Sequence, residues 1–164
     1  MAKTVRAVLY YTPSPRALTW ITKVHRRLYR ASGGILGSRL PQWDETRAGL
    51  HLRWMNVLLL TTRGRKTAAR RTVPLPCFVY EGRTFLVASL AGRDRHPDWY
   101  VNLAEQPEVE TQWGSRRRRC RAVPLSGSER ERIWTVITDD WPRYRIYQGR
   151  TRREIPLVEL ISAE

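Results

Sequence analysis

Three short stretches carry residue types that could do chemistry together. The first is Thr61-Thr62-Arg63-Gly64-Arg65-Lys66-Thr67, followed by Arg70-Arg71-Thr72. A glycine-containing turn bearing two cations and a hydroxyl suits an anion, because backbone N–H groups and charged side chains can converge on one phosphate or carboxylate. An exposed basic hairpin loop is the plainer reading, and spacing alone does not separate the two. Neither G-x-x-x-x-G-K-(S/T) nor G-x-G-x-x-G is present, so the stretch is no nucleotide loop of either kind. The second runs from Ser89-Leu90-Ala91-Gly92 to His96-Pro97-Asp98-Trp99-Tyr100-Val101-Asn102-Leu103. Its adjacent aromatics could stack on a flat conjugated ligand, with Ser89 and Asn102 at the polar edge. As plain structure, Trp99 and Leu103 are core and His96 is a turn residue. The third is Trp141-Pro142-Arg143-Tyr144-Arg145-Ile146-Tyr147, then Thr151 to Pro156. Three aromatics at three-residue spacing line one face of a helical turn, as a pocket wall or as a packed stripe.

Conventional catalytic sets are missing. His25, His51 and His96 and the two cysteines lack metal-ligand spacing, so no metal site is expected. There is no G-x-S-x-G elbow and no evident carboxylate pair. An enzyme with this inventory takes its chemistry from a cofactor.

These residues need a scaffold, and the chain is long enough to make one. Its 164 residues, 41% hydrophobic and 27% charged, suit one globular domain over residues 1–164. No apolar run approaches the length of a membrane span, and no secretory signal is read, so a cytoplasmic protein is expected. Cys77 and Cys120 are then free thiols. Thirty basic against fifteen acidic residues give +15, and twenty-seven of the thirty are arginine. Residues 1–82 hold fifteen basic and three acidic side chains, while residues 83–164 hold fifteen and twelve. Such a field attracts polyanions, whether nucleic acid, anionic lipid or a small polyanionic molecule.

Ser14 and Pro15 open a helix to about Ala31. Leu18, Ile21, Val24 and Leu28 share one side of it, and Arg16, Lys23, Arg26, Arg27 and Arg30 the other. Docking on its own domain with the basic face in water is favoured over contact between residues 14–31 and a membrane surface. Residues 32–53 read as an irregular connection. Strands follow at 56–62, 71–80, 84–90, 109–113, 116–124 and 155–161, with Pro74 and Pro76 marking a sheet edge or bulge. Glu81-Gly82 and Gly114-Ser115 are hairpin turns. A short helix fits 97–105, and Ser128 with Glu131 is a capping box opening a helix to about Thr138. The alternating arginines at 116–121 read as a solvated edge. Six strands with peripheral helices make a small α+β barrel.

The three stretches, in this order, resemble the deazaflavin-dependent nitroreductase family, a group of split β-barrel proteins (FMN-binding split-barrel-like) that use coenzyme F420. The family pattern L-x-T-T-x-G-R-K-(S/T)-G, then a basic residue and P-L, is similar to Leu60 through Ala68, Arg71 and Pro74-Leu75. S-x-x-G and H-P-x-W-Y-x-N-L match Ser89, Gly92 and His96 through Leu103. Glu108-Val109, the aromatic-Pro-x-Tyr-x-x-Tyr segment and Thr-x-Arg-x-Ile-Pro also fit, and the likeness covers residues 50–162. It implies a split-barrel core there. It also implies that the phosphodiester and polyglutamate tail of F420 lie on Arg65, Lys66, Thr67 and Arg71. The implied cofactor contacts continue through Thr72, Val73, Pro74, Leu75 and Pro76. Val87, Ala88, Ser89, Leu90, Asp98, Trp99, Tyr100, Val101, Asn102 and Tyr144 would hold the ring. Trp141, Tyr144 and Tyr147 would face the substrate, with Ser89, Tyr144 and Tyr147 catalytic. FMN is the weaker expectation. The implied reaction is hydride transfer to an activated alkene, quinone or nitro compound.

The chain departs from the family pattern at three positions. Leu90 replaces a lysine, for which Arg70 is a candidate substitute, Ala68 replaces a glycine, and Trp141 replaces a common tyrosine, pointing away from nitroimidazole reduction. Two other readings stand beside this one. One is a basic nucleic-acid-binding protein, although no specific nucleic-acid motif is found. The other is a non-catalytic deazaflavin or lipid carrier on the same fold. The oligomeric state is not specified.

Overall fold

A computed structural model describes residues 15–46 and 49–163. In chain order these form α1 (Pro15–Ala31), β1 (Arg39–Thr46), β2 (Gly49–Arg63), β3 (Arg70–Pro76), β4 (Phe78–Tyr80), β5 (Arg83–Val87), α2 (Asp98–Glu105), β6 (Glu108–Trp113), β7 (Arg116–Pro124), α3 (Gly127–Asp140), α4 (Arg143–Gly149) and β8 (Leu157–Ser162). The expected cap at Ser14 lies outside the described residues.

All strand pairs are antiparallel, in the order β1-β2-β6-β7-β8-β5-β4, with β3 on the other edge of β2. Because β3 pairs with β2 while its continuation β4 pairs with β5, this bent segment curls the sheet back towards itself. The bend falls at Cys77, whose N–H donates to the Asn56 carbonyl at 2.9 Å. Pro74 and Pro76 sit on β3, which pairs only with β2, so their missing donors cost nothing there.

The alternation of strand side chains sorts the interior. Cys120 and Ala122 of β7 point inward with Leu58, Leu60, Leu86, Val158 and Leu160, and Trp99 and Leu103 of α2 join this cluster. A second cluster packs α3 and α4 on the outside through Phe78, Phe85, Ile133, Ile137, Trp141, Tyr144 and Leu157.

Several sequence expectations need correction. Eight strands form, not six. Residues 39–46 make β1 where an irregular connection was expected, and the strand expected over 71–80 breaks at Cys77. β5 ends at Val87, and residues 90–92 leave it as a 3-10 turn. No Ser128–Glu131 capping box opens α3; the cap position belongs to Ser126, which makes no side-chain cap bond. The docking of α1 also differs from the expected one, although Lys23, Arg27 and Arg30 of its basic face are exposed as expected. Ile21 and Leu28 are exposed, as is Trp20, whereas Tyr29 is fully buried. The Tyr29 hydroxyl lies 3.1 Å from the Val57 carbonyl and 3.2 Å from that of Gln112, and it accepts the Gly114 N–H at 2.8 Å. From the expected basic face, Arg26 donates to the Thr72 carbonyl (3.3 Å) and Arg30 to the Thr72 hydroxyl (3.1 Å). Arg26 and Arg30 find carbonyl and hydroxyl partners on β3, Val24 is half-buried, and Ile21 and Leu28 face water.

Candidate active site

The turn between β2 and β3 is drawn tight by the bond from Gly64 N–H to the Ala69 carbonyl (2.8 Å) and from Ala68 N–H to the Gly64 carbonyl (2.7 Å). A Cβ on Gly64 would stand 3.2 Å from Thr67 Oγ1 and 3.6 Å from Arg71 Nε, so glycine leaves the space those groups share. Ala68 adopts φ +55°, the left-handed conformation that glycine favours. The turn therefore keeps its shape without the family's glycine, at the cost of local strain.

Asn102 clips this turn to α2. Its side chain is buried, donates Nδ2–H to Thr62 Oγ1 (3.2 Å) and accepts the Arg65 N–H on Oδ1 (3.2 Å). Its amide thus shapes the turn instead of offering a free polar edge to a flat ligand. Trp99 is 8% exposed, so it is both core and a wall of the adjacent groove.

That groove has a volume of about 1010 Å³ and runs from the β2–β3 turn across Trp99 and Asn102 to Leu90, with Thr22, Lys23 and Arg26 of α1 on one bank. Eight of its lining side chains are Lys or Arg, against one carboxylate, Asp98. Among the described residues, Lys23, Arg65, Lys66, Arg71 and Arg93 have no carboxylate partner. Arg70 does, forming a bidentate pair with Glu110 (2.8 Å from Nη1), so its charge is largely engaged. The cations that accompany Leu90 in the groove are Arg93 and Arg95. Their place in the groove was not legible in the sequence, and neither was that of Lys23 and Arg26, which read there as part of a separate helix face.

The far side of the groove is a strained loop. Leu90, Ala91 and Gly92 have φ of +46°, +55° and +79°. A Cβ on Gly92 would come within 2.5 Å of the Tyr147 carbonyl oxygen, so only glycine lets the loop rest on α4. One side chain that carried no assigned role in the sequence holds this loop: Arg153 donates to the carbonyls of Ala88 (3.1 Å), Ser89 (2.8 Å) and Arg93 (2.9 Å). Thr151 adds a bond to Asp94 (2.8 Å), which gives the Thr-x-Arg pattern its physical reason. Arg153 Nη1 also lies 3.3 Å from His96 Nδ1, and His96 packs against Tyr100 at 5.0 Å. Burial, then the Arg153 charge, lowers the His96 pKa from its ordinary value and favours the neutral ring.

The third stretch lies behind the loop. Tyr144 is buried, edge-on to Phe78 (5.5 Å) and Tyr147 (5.7 Å), and burial pushes its phenol up from the ordinary range. Trp141 is buried against Phe78, with the Arg53 guanidinium 4.3 Å above its ring. The structure brings Thr72, Val73, Leu90, Asp98, Trp99 and Asn102 together with Arg65, Lys66, Thr67 and Arg71 around one groove. Pro74, Leu75 and Pro76 continue β3 away from it. Val87, Ala88 and Ser89 lead into the strained loop, and Tyr100 and Val101 lie on α2; Tyr144 and Tyr147 lie on α4, Trp141 precedes it and packs with Tyr144 in the second core cluster, and none of these three lines the groove.

The fold is an α+β split barrel, and its groove sets eight cationic side chains beside Trp99. Residues 20–161 match the model of the F420H(2)-dependent quinone reductase family, and the chain belongs to that family. The nitroreductase family that its motifs resemble is a different one. The chain is 34% identical over 144 residues to the F420H(2)-dependent quinone reductase Rv1261c of Mycobacterium tuberculosis, covering 85% of this chain and 89% of that one. It is 37% identical over 103 residues to the putative F420H(2)-dependent quinone reductase Rv3178 of the same organism, covering 63% and 87%. Among solved structures it is similar to an F420-H2 dependent reductase (FDR-A) with 36% identity and a TM-score of 0.57, covering 63% of this chain and 92% of that one. A chain described as a domain-swapped dimer matches with 30% identity and a TM-score of 0.59, covering 90% and 99%. The family uses reduced coenzyme F420 as its hydride donor.

Proposed function

We propose that this chain reduces a quinone with F420H2 bound in the basic groove. One observation carries the reading: eight cations and a single carboxylate surround a groove that crosses the Trp99 ring. That donor set fits a coenzyme with a flat ring and a polyanionic tail. Arg65, Lys66, Thr67 and Arg71 take the tail, and the β3 residues 72–76 support them from behind. Residues 87–90 and 98–102 border the ring. When bound, the reduced deazaflavin supplies a hydride to an electron-poor acceptor. The protein's part is to orient the two partners and exclude water. Tyr144, with its pKa raised, gives up a proton reluctantly, so it serves as wall; Tyr147 or solvent at the Ser89 loop delivers the proton. Trp141, roofed by Arg53, backs this wall.

The test is fluorescence titration with oxidised F420, with FMN alongside, followed by single-turnover oxidation of the reduced coenzyme by a soluble naphthoquinone, a nitroaromatic and an activated alkene. Tight F420 binding, weak FMN binding and fastest turnover with the quinone are expected. The double variant Arg65→Ala/Lys66→Ala should weaken F420 about 100-fold, each lost charge-assisted contact being worth about 1.5 kcal/mol. Failure to bind F420 by folded protein would overturn the proposal, and binding without turnover would favour a carrier. A specific observation also favours the lipid-surface reading of α1: Trp20, Ile21 and Leu28 are exposed beside Lys23 and Arg27. Salt-sensitive co-sedimentation with anionic liposomes tests it, and no sedimentation would remove it.

A further inference from the structure

We propose that the barrel has a second binding site, at the end away from the coenzyme groove, for an amphipathic carboxylate. The registers Leu59↔Gln112, Trp113↔Arg116, Cys120↔Ser162 and Thr84↔Leu160 gather one set of strand ends, whereas the groove lies at Thr62, Gly64 and Thr72. At those gathered ends a cavity of about 530 Å³ opens. Its floor is apolar, made by Leu58, Cys120 and Leu160, all buried. Its rim carries Trp113, Arg116 and Arg118.

The charge pattern at this rim selects the ligand. β7 alternates, so Arg116 and Arg118 share the face of Cys120 and Ala122, while Arg117, Arg119 and Arg121 share the other. The outward arginines have carboxylates to answer: Arg121 lies 3.7 Å from Glu108, and the charges of Arg117 and Arg119 help lower the Glu110 pKa. Among the described residues, Arg116 and Arg118 have no carboxylate partner, and no acid lines the cavity. Two uncompensated guanidiniums above an apolar floor are complementary to one carboxylate head on a hydrocarbon body. The head forms charge-assisted bonds at the rim, and the chain displaces water from the floor.

Isothermal titration of the full chain, saturated with F420, with decanoate below its micelle concentration tests this. One molecule should bind per chain, while decanol and decyltrimethylammonium bind at least tenfold more weakly. Arg116→Gln/Arg118→Gln should lower decanoate affinity at least tenfold and leave F420 affinity unchanged. Arg117→Gln/Arg119→Gln, with the same loss of charge on the opposite face, should change neither. A Leu160→Trp variant, filling the floor, should abolish decanoate binding by a route independent of charge. No decanoate binding, displacement of decanoate by F420, or equal losses in both double-arginine variants would overturn the proposal.

Discussion

Two backbone and side-chain details at the groove have measurable consequences. Ala68 holds a left-handed φ that disfavours any residue with a Cβ, by about 1 kcal/mol. Ala68→Gly should therefore stabilise the protein by about 0.5 kcal/mol or more after the unfolded-state entropy of glycine is counted. Chemical denaturation reads this directly, and a loss of stability would show the strain is relieved elsewhere. His96 titrates with a sign that can be worked out. The fold keeps it neutral beside Arg153, so its contribution is complete above the ordinary value of 6.5 and is lost as pH falls through the lowered value. Folding stability should therefore fall as pH drops below the ordinary value of 6.5, and His96→Gln should flatten that part of the profile in chemical denaturation. An identical profile in the variant would remove His96 from the account. That Arg65, Lys66 and Thr67 share one tight turn was legible because glycine, cation and hydroxyl spacing is local. Arg153 was not, since its partners lie about sixty positions away and only folding brings them together.

At the level of elements, α1 depends on one residue. Tyr29 is the buried link from the helix to β2, β6 and the β6–β7 turn. Tyr29→Phe leaves the Gly114 N–H unpaired and should cost about 1–3 kcal/mol, with faster amide exchange in α1. If α1 exchange were unchanged, the helix would be held by Arg26 and Arg30 instead. The sequence pattern misled here because hydrophobic periodicity marks an apolar face, not where it goes. Five of the six expected strands were legible, four as alternating or continuous apolar runs and β7 from the Gly114-Ser115 hairpin turn before it. The strand expected over 71–80 breaks at Cys77, which depends on how β3 and β4 pair with different neighbours. β1 stayed hidden because Arg39–Thr46 carries Pro41, Asp44 and Glu45 and shows no alternation. It pairs only with β2, and strand pairing of that kind leaves little trace in side-chain type.

For the molecule as a whole, charge is apportioned rather than spread. Arg83 and Arg132 share Glu81, Glu129 and Glu159 in one network, whose arginines hold the Glu129 carboxyl down to about 2. That contribution is complete above the ordinary carboxylate range and is lost as pH falls towards 2; because the pair is exposed the loss is small, and it should be absent from the acid denaturation profile of Glu129→Gln. Of the groove cations, Lys23, Arg65, Lys66, Arg71 and Arg93 have no carboxylate partner among the described residues. F420 affinity should accordingly fall steeply with added salt, whereas folding stability near neutral pH should change little. A flat salt profile would mean that the tail makes few ionic contacts.

Vectorial synthesis gives the strand order another meaning. β8 follows every other strand among the described residues, yet it sits between β5 and β7 and supplies an edge to both. While the polypeptide is being made, β5 and β7 wait with open edges, and the β2–β3 turn emerges well before the barrel that braces it. Closure joins residues as far apart as Thr84 and Leu160, a non-local pairing of the kind that makes folding slow. The nascent chain therefore passes through a stage with bare strand edges, the stage most open to chaperones and to pairing with a neighbouring chain.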